Sequence, residues 1–341
     1  MSTPDTTLGG ARPSLELGRA LRSRIDGPVR QVLTAVAALI LVLIAYFLLR
    51  LYLEARPVFA NYGALNFVTD NAWVPSKDSF GAWPLIAGTL ITSVIALIIG
   101  VPVAVASALY ITELAPARIR GVLTTLIELL AAVPSVVYGL WGVFFLIPKI
   151  RPAEQWFSDT FAFLPFIGGG TVAGPNYFIA GLILAIMIIP IISSISREVL
   201  DTVPREHKEA ALALGATRWE MIRMAVLPYS RAGISGAAML GLGRALGETI
   251  AVTLVIGNAP RIGESIFSQG YTLAAVIANE FGEAASDPVH RAALIAAGLV
   301  LFMLTLIVNF IARWFVTRSE KRLSAAAAAS HAPVQTAGAK A

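Results

Sequence analysis

The chain has 341 residues, 57% hydrophobic and only 14% charged, with a mean hydropathy of +0.74, whereas a soluble domain carries about 25% charged residues. Its charges sit in blocks between long apolar runs, the pattern of a membrane protein, and the absence of cysteine excludes disulfides, thiolate catalysis and cysteine metal sites. The three histidines (His207, His290 and His331) lack ligand spacing, so no metal site is expected, and the net charge of +5 reads as loop Lys/Arg bias rather than a nucleic-acid footprint.

Residues 1–31 are polar and carry Arg12, Arg19, Arg22, Arg24 and Arg30. The apolar run that follows, 32–53, is long and ends in Glu54-Ala-Arg-Pro rather than in a small-residue cleavage site, so an uncleaved spanning helix is expected. A helix needs about 20 apolar residues to cross the hydrocarbon. Five further runs meet or approach this: 85–112, 121–148, 177–195, 232–257 and 292–312. The expectation is an all-α integral membrane protein with six transmembrane helices over residues 32–315. A cytoplasmic arm (1–31) precedes them, and an alanine-rich, disordered cytoplasmic tail (316–341) follows.

Lys and Arg set the orientation. Segments 1–31, 115–120, 196–231 and 313–341 hold 18 basic residues, against 6 in segments 54–84, 149–176 and 258–291. This threefold bias predicts both termini inside, N-in and C-in. The outer segments are instead rich in Asp and Glu, which carry little topological information and suit solvated loops.

No Gly-x-x-x-x-Gly-Lys-[Ser/Thr] occurs, so the chain holds no P-loop nucleotide site. The glycines at 168–170 lack the lysine and read as a turn. Nothing arranges Ser, Lys or Tyr as a nucleophile with its base, so no catalysis is expected.

The segment 201–228 carries the densest local signals. Pro204 suits a first helical turn, residues 205–214 are rich in helix formers, and Gly215 is placed as a left-handed cap. Thr217 and Glu220 form a Thr-x-x-Glu capping box that opens a second helix, which Pro228 is expected to close. A loop with such definite start and stop signals presents a rigid helical hairpin.

Glu209-Ala210-Ala211, then Gly215, then Leu227-Pro228 resemble the EAA loop of ABC-importer permeases, with Ala225 standing where that pattern has isoleucine. The resemblance implies a type I importer-like permease whose loop docks on an ATPase subunit. The stretches Ala131-Ala-Val-Pro-Ser-Val-Val-Tyr-Gly-Leu-Trp-Gly142 and Leu242-Gly-Arg-Ala-Leu-Gly-Glu-Thr-Ile-Ala-Val252 resemble the phosphate-specific (Pst) permeases. Trp83-Pro84 leading into a span that ends Ala108-Leu-Tyr-Ile-Thr-Glu-Leu-Ala-Pro116 is similar to the C-type subunit of that family. The resemblance covers about residues 75–315. It implies a multi-pass protein of the bacterial inner membrane that pairs with an A-type sister permease. Two ATPase subunits and an extracytoplasmic phosphate-binding protein would complete the importer.

Arg244 fits an anion path on physical grounds. It lies twelve residues into a span taken from Ala232, roughly 18 Å along a helix at 1.5 Å per residue, past the middle of a core about 30 Å thick. A cation that cannot shed its charge costs at least about 2.5 kcal/mol there. Its planar donor fork suits phosphate oxygens taken two at a time. Glu248, at i+4, is expected on the same helix face, either tempering the field and accepting a hydrogen bond from a protonated phosphate oxygen or forming a structural salt bridge. Ser135 and Tyr138 flank Pro134 and are expected to offer hydroxyl donors to a passing anion. Pro102, Pro134 and Pro190 each fall inside a span, as kinks or as prolines that membrane helices tolerate. Gly236, Gly243 and Gly247 form a small-residue stripe suited to helix packing. A permease for another oxyanion (molybdate or sulfate), or a secondary transporter working without an ATPase, would share much of this pattern.

Overall fold

Where an apolar run has no water to satisfy its peptide groups, helix is the economical conformation for a single segment. A computed structural model of the chain describes residues 13–168 and 172–330. Expectations falling on 1–12, on Gly169 and Gly170, and on 331–341 lie outside the described residues. The chain divides into two units, residues 1–53 and 54–341.

The described part of the first unit is one helix, the leading part of α1 (Pro13–Tyr62). From Gly27 to Leu53 its apolar side chains are exposed almost throughout, as suits a surface meant for lipid or for a neighbouring helix rather than for water.

The second unit begins with the end of α1, whose Ala55 and Val58 are buried. It continues through α2 (Ala64–Thr69) and a short antiparallel hairpin, β1 (Trp73–Val74) with β2 (Ser79–Phe80). Then come α3 (Trp83–Leu109), a π-turn (Tyr110–Leu114), α4 (Ala117–Ala131), α5 (Ser135–Trp141), a second π-turn (Gly142–Leu146) and α6 (Ile147–Thr160). The remainder is α7 (Tyr177–Asp201), α8 (Arg205–Ala213), α9 (Arg218–Met221), a third π-turn (Ile222–Val226), α10 (Leu227–Gly247), α11 (Ile250–Val255), α12 (Leu273–Glu280) and α13 (Pro288–Ser330).

Among the described residues, five helical stretches are long and apolar enough to cross a membrane: Gly27–Tyr62, Trp83–Leu114, Ser135–Thr160, Tyr177–Asp201 and Pro288–Arg318. The central one is α7, 61% buried over its most apolar stretch against 28% for Trp83–Leu114. Asn176 starts α7: its Oδ1 accepts the Ile179 N–H at 2.8 Å, satisfying one of the helix's orphan donors. Glycines let the neighbours close on it, Gly100 of α3 against Ile188 and Gly241 of α10 against Ile192. At the end of the bundle away from α8 and α9, Glu280 Oε2 accepts from Trp73 Nε1 and meets His290 Nε2, both at 3.0 Å. That carboxylate ties the β-hairpin, α12 and α13 together.

Two expected spans are not continuous. The run 121–148 is interrupted at residues 132–134, where Pro134 lacks the N–H that a helix needs and restrains Val133 before it. The run 232–257 stops at Gly247: Glu248 is extended (φ −70°, ψ 130°), and α11 starts afresh at Ile250. Pro102 and Pro190, by contrast, lie within unbroken helices. Pro228 does not close the second hairpin helix either. Helical structure runs from Arg218 through the π-turn 222–226 into α10, and the wider π-turn accommodates the N–H that Pro228 lacks.

Candidate functional site

The two helix breaks lie side by side. α5 and α11 run in the same direction: a Cβ built on Gly139 would meet Ala251 Cα at 3.0 Å, and one on Gly142 would meet Val255 Cγ1 at 2.8 Å. Ser135 opens α5 four residues before Gly139, and the corner at Gly247–Thr249 directly precedes α11. Only glycine at 139 permits this approach, so that residue sets the spacing of the two restarted helices.

Of the four residues expected on a substrate path, Arg244 and Tyr138 come within electrostatic reach of each other, Glu248 forms the corner itself, and Ser135 stands one turn before Tyr138 on α5. Arg244 is exposed in the last turn of α10, where the helix carbonyl end favours a cation. It has no ion-pair partner among the described residues, and its charge acts on the Tyr138 hydroxyl. Glu248 has left the helix, so the expected same-face pairing with Arg244 does not form. Its Oε1 instead faces the Ala251 N–H, a long contact of 3.5 Å at the start of α11. The reason is the break itself, because i and i+4 share a face only while the helix continues. Tyr138 donates to the Leu130 carbonyl at 2.8 Å, bridging from α5 back to the frayed end of α4. Ser135 is half-buried at the first turn of α5. The corner therefore combines an uncompensated guanidinium, a carboxylate with an oxygen to spare and the starts of two helices, a set suited to an oxyanion.

Gly236, Gly243 and Gly247 face open space: a Cβ at any of them would meet nothing within 4 Å. They lie on the same helix as exposed Leu240, leaving one face of α10 bare among the described residues.

The second feature is the hairpin. Gly215 takes φ +86°; its N–H donates to Leu212 O at 3.0 Å, and Ala216 N–H donates to Ala211 O at 3.2 Å. Those two bonds are the Schellman pair that closes a helix on a left-handed residue. The capping box is complete, with Glu220 N–H on Thr217 Oγ1 and Thr217 N–H on Glu220 Oε2. A small core of Ala108, Leu200, Val203, Met221, Ile222 and Val226 seats the hairpin on the ends of α3 and α7. Glu209 and Ala210 face outward, Ala211 and Leu227 are half-buried, and Pro228 is exposed. At the tip, Leu214 is 90% and Trp219 62% exposed, large apolar side chains with no cover among the described residues.

Hydrogen bonds from the Thr217 backbone N–H and then its hydroxyl hold the Glu220 carboxyl below the usual carboxylate range. A depressed folded value stabilises the hairpin above the unfolded value and ceases to as pH falls through the folded one. Protection factors of the amides at residues 217–221, with the intrinsic pH dependence of exchange divided out, are therefore expected to be flat between about pH 5 and 8 and to fall only below about pH 4. Protection that already changes near neutrality would refute the role of the carboxylate.

Sequence reasoning missed the ties that lock the hairpin end of the bundle. Lys208 Nζ lies 2.6 Å from Glu113 Oε1, Arg197 bonds Thr124 and lies 3.6 Å from Glu128 Oε1, and Arg120 donates to Thr112 O at 2.9 Å. Glu128, a carboxylate within the apolar run 121–148, finds its partner 69 residues away.

Residues 100–322 match the family described as binding-protein-dependent transport system inner membrane component. A phosphate transport system permease protein PstC of Mesorhizobium japonicum is 43% identical over 321 residues, covering 90% of this chain and 97% of that protein. A PstC of Pasteurella multocida is 44% identical, with 86% and 92% covered. A PstC 2 of Mycobacterium tuberculosis is 44% identical, with 82% and 89% covered. Among solved structures, a bacterial ABC transporter involved in import of the acidic polysaccharide alginate aligns with TM-score 0.53 at 18% identity, covering 88% of this chain and 99% of that one. The alginate transporter in complex with its pentasaccharide-bound periplasmic protein aligns at 0.55 and 17% identity, covering 88% and 98%. At that identity the likeness is one of fold.

Proposed function

The chain belongs to the binding-protein-dependent transport system inner membrane components, a multi-pass membrane family, and on that premise we propose that it is the C-type permease subunit of an ATP-driven phosphate importer. The observation that carries this reading is Arg244: an exposed guanidinium without an ion-pair partner among the described residues, at the corner where two adjacent helices restart. The relatives named phosphate transport permeases supply the substrate class. In this reading the chain is non-catalytic. Arg244 takes two phosphate oxygens, and Glu248 accepts a hydrogen bond from a protonated one, which sulfate lacks at neutral pH. A site built around that proton leaves polar groups unpaired with sulfate.

α10 and α11 together make a sixth, broken span, and the Lys/Arg bias orients both termini inward with the hairpin in the cytoplasm. The bare glycine face of α10 supports pairing with an A-type sister permease. The apolar tip at Leu214 and Trp219 supports docking on one of two ATPase subunits, which would carry ATP and magnesium. An extracytoplasmic phosphate-binding protein would deliver the substrate. When the ATPase pair closes, the hairpin is pulled and the spans tip between outward and inward access.

The test is radiolabelled phosphate uptake in cells lacking the gene and complemented with it. Uptake is expected to return and to survive a tenfold excess of unlabelled sulfate or molybdate. Suppression by either anion would reassign the substrate, and uptake that persists in cells lacking the ATPase subunits would refute the ATP-driven reading.

A further inference from the structure

Of the charged side chains on α8, Arg205, Glu206 and Glu209 face outward and Lys208 turns inward. Its ammonium meets Glu113 Oε1 at 2.6 Å, with the two side chains 20% and 7% exposed. Lys208 adjoins the Glu209-Ala-Ala triplet, while Glu113 sits on the π-turn that ends the long helix Trp83–Leu114. That turn is braced twice, by Arg120 donating to Thr112 O and by Ala115 N–H donating to Tyr110 O at 2.7 Å. Single π-turns of this kind recur at functional positions.

The hairpin has covalent continuity with α7 on one side and with α10 on the other, but none with α3. Its other hold on α3 is the apolar patch around Ala108 and Leu109. Apolar contact is non-directional and permits sliding. A nearly dry ion pair is short-ranged, poorly screened by salt, and intolerant of losing one member. α3 is in turn interlocked with α7, where Gly181 leaves room for Ile95 and Gly100 for Ile188.

We propose that Lys208 and Glu113 are positioning residues for transport, forming the joint that makes α3 follow the hairpin. This deepens the reading of the chain as an ATP-driven phosphate permease and rests on it. With the joint intact, a pull on the hairpin moves α3, α7 and α10 as one body. Without it, α10 and α7 still feel the pull directly while the hairpin end of α3 feels it only through its packing on α7, so that end lags and ATP is hydrolysed with less cargo moved.

The test uses the complete importer in proteoliposomes loaded with ATP, comparing wild type with Glu113→Gln, Lys208→Met and the exchanged pair Glu113→Lys/Lys208→Glu. Both ATP hydrolysis and radiolabelled phosphate accumulation are measured. The single variants are expected to assemble and to hydrolyse ATP within about twofold of wild type. They should move at least fivefold less phosphate per ATP, and the exchanged pair should recover at least half of the loss. Because the chain has no cysteine, Glu113→Cys/Lys208→Cys joined by a short bis-maleimide gives a second readout, with the transport ratio rising on cross-linking. An unchanged ratio in the single variants, no recovery in either paired variant, or loss of assembly in both singles would overturn the proposal. A wild type that hydrolyses ATP without accumulating phosphate would overturn the functional reading and this joint with it. That failure shows in the wild-type vesicles alone, whereas failure of the joint shows only against an active wild type.

Discussion

Replacing Arg244 with alanine is expected to lower phosphate uptake by about ten- to a hundredfold at matched membrane levels. A hydrogen bond to a charged group contributes about 1.5–3 kcal/mol, and each 1.4 kcal/mol is a factor of ten. Losing one such bond in the rate-limiting complex accounts for the lower figure and losing two for the upper. Arg244→Lys keeps the charge and loses the planar fork, so it should fall between alanine and wild type. Insertion should be unaffected, because Arg244 is exposed and holds no ion pair among the described residues whose loss would strand a buried partner. Uptake by Arg244→Ala equal to wild type would move the anion site elsewhere on the path.

The second large effect is expected at Gly215. Its φ of +86° is far from the −65° to which proline is locked, and its N–H is engaged with Leu212 O. Gly215→Pro therefore removes a bond and forces the turn between α8 and α9 open, at a cost of about 3 kcal/mol or more. The expected phenotype is ATP hydrolysis near the wild-type rate with uptake reduced at least tenfold. Gly215→Ala pays only the left-handed penalty of about 1–2 kcal/mol and should be milder. Hydrolysis and uptake measured on the same membranes decide it, and normal uptake by the proline variant would sink the coupling role of the hairpin.

These two positions mark how far the sequence could be read. Gly215, Thr217 and Glu220 act on neighbours within four residues, so their caps were legible from spacing alone. The long apolar helices were legible for the same reason, since hydrophobicity over about 20 residues is a local sum. The helix breaks were not. A hydropathy window averages across Val133 and Glu248, and whether a proline interrupts depends on the helices around it. Pro134 interrupts while Pro102 and Pro190 do not, and Gly247-Glu248 interrupts with no proline present. Reading 232–257 as one helix put Glu248 on the face of Arg244, a geometry the corner abolishes. Pro228 misled in the opposite sense, because a π-turn absorbs a residue that spacing reads as a stop. The tie between Glu113 and Lys208 joins residues 95 apart, for which one sequence carries no signal.

The small core under the hairpin shares no residue with the large core of the bundle. Units packed separately in this way open and vary separately. If the hairpin meets a motor and the corner a cargo, as proposed, the two surfaces are thus free to diverge at different rates: changes of ATPase partner would be expected in 205–226, with the lining at 135–138 and 244–248 left unchanged. The same architecture makes the hairpin transplantable: a permease of this plan can be re-addressed to another motor by exchanging about twenty residues and whichever partner of Lys208 the new hairpin requires.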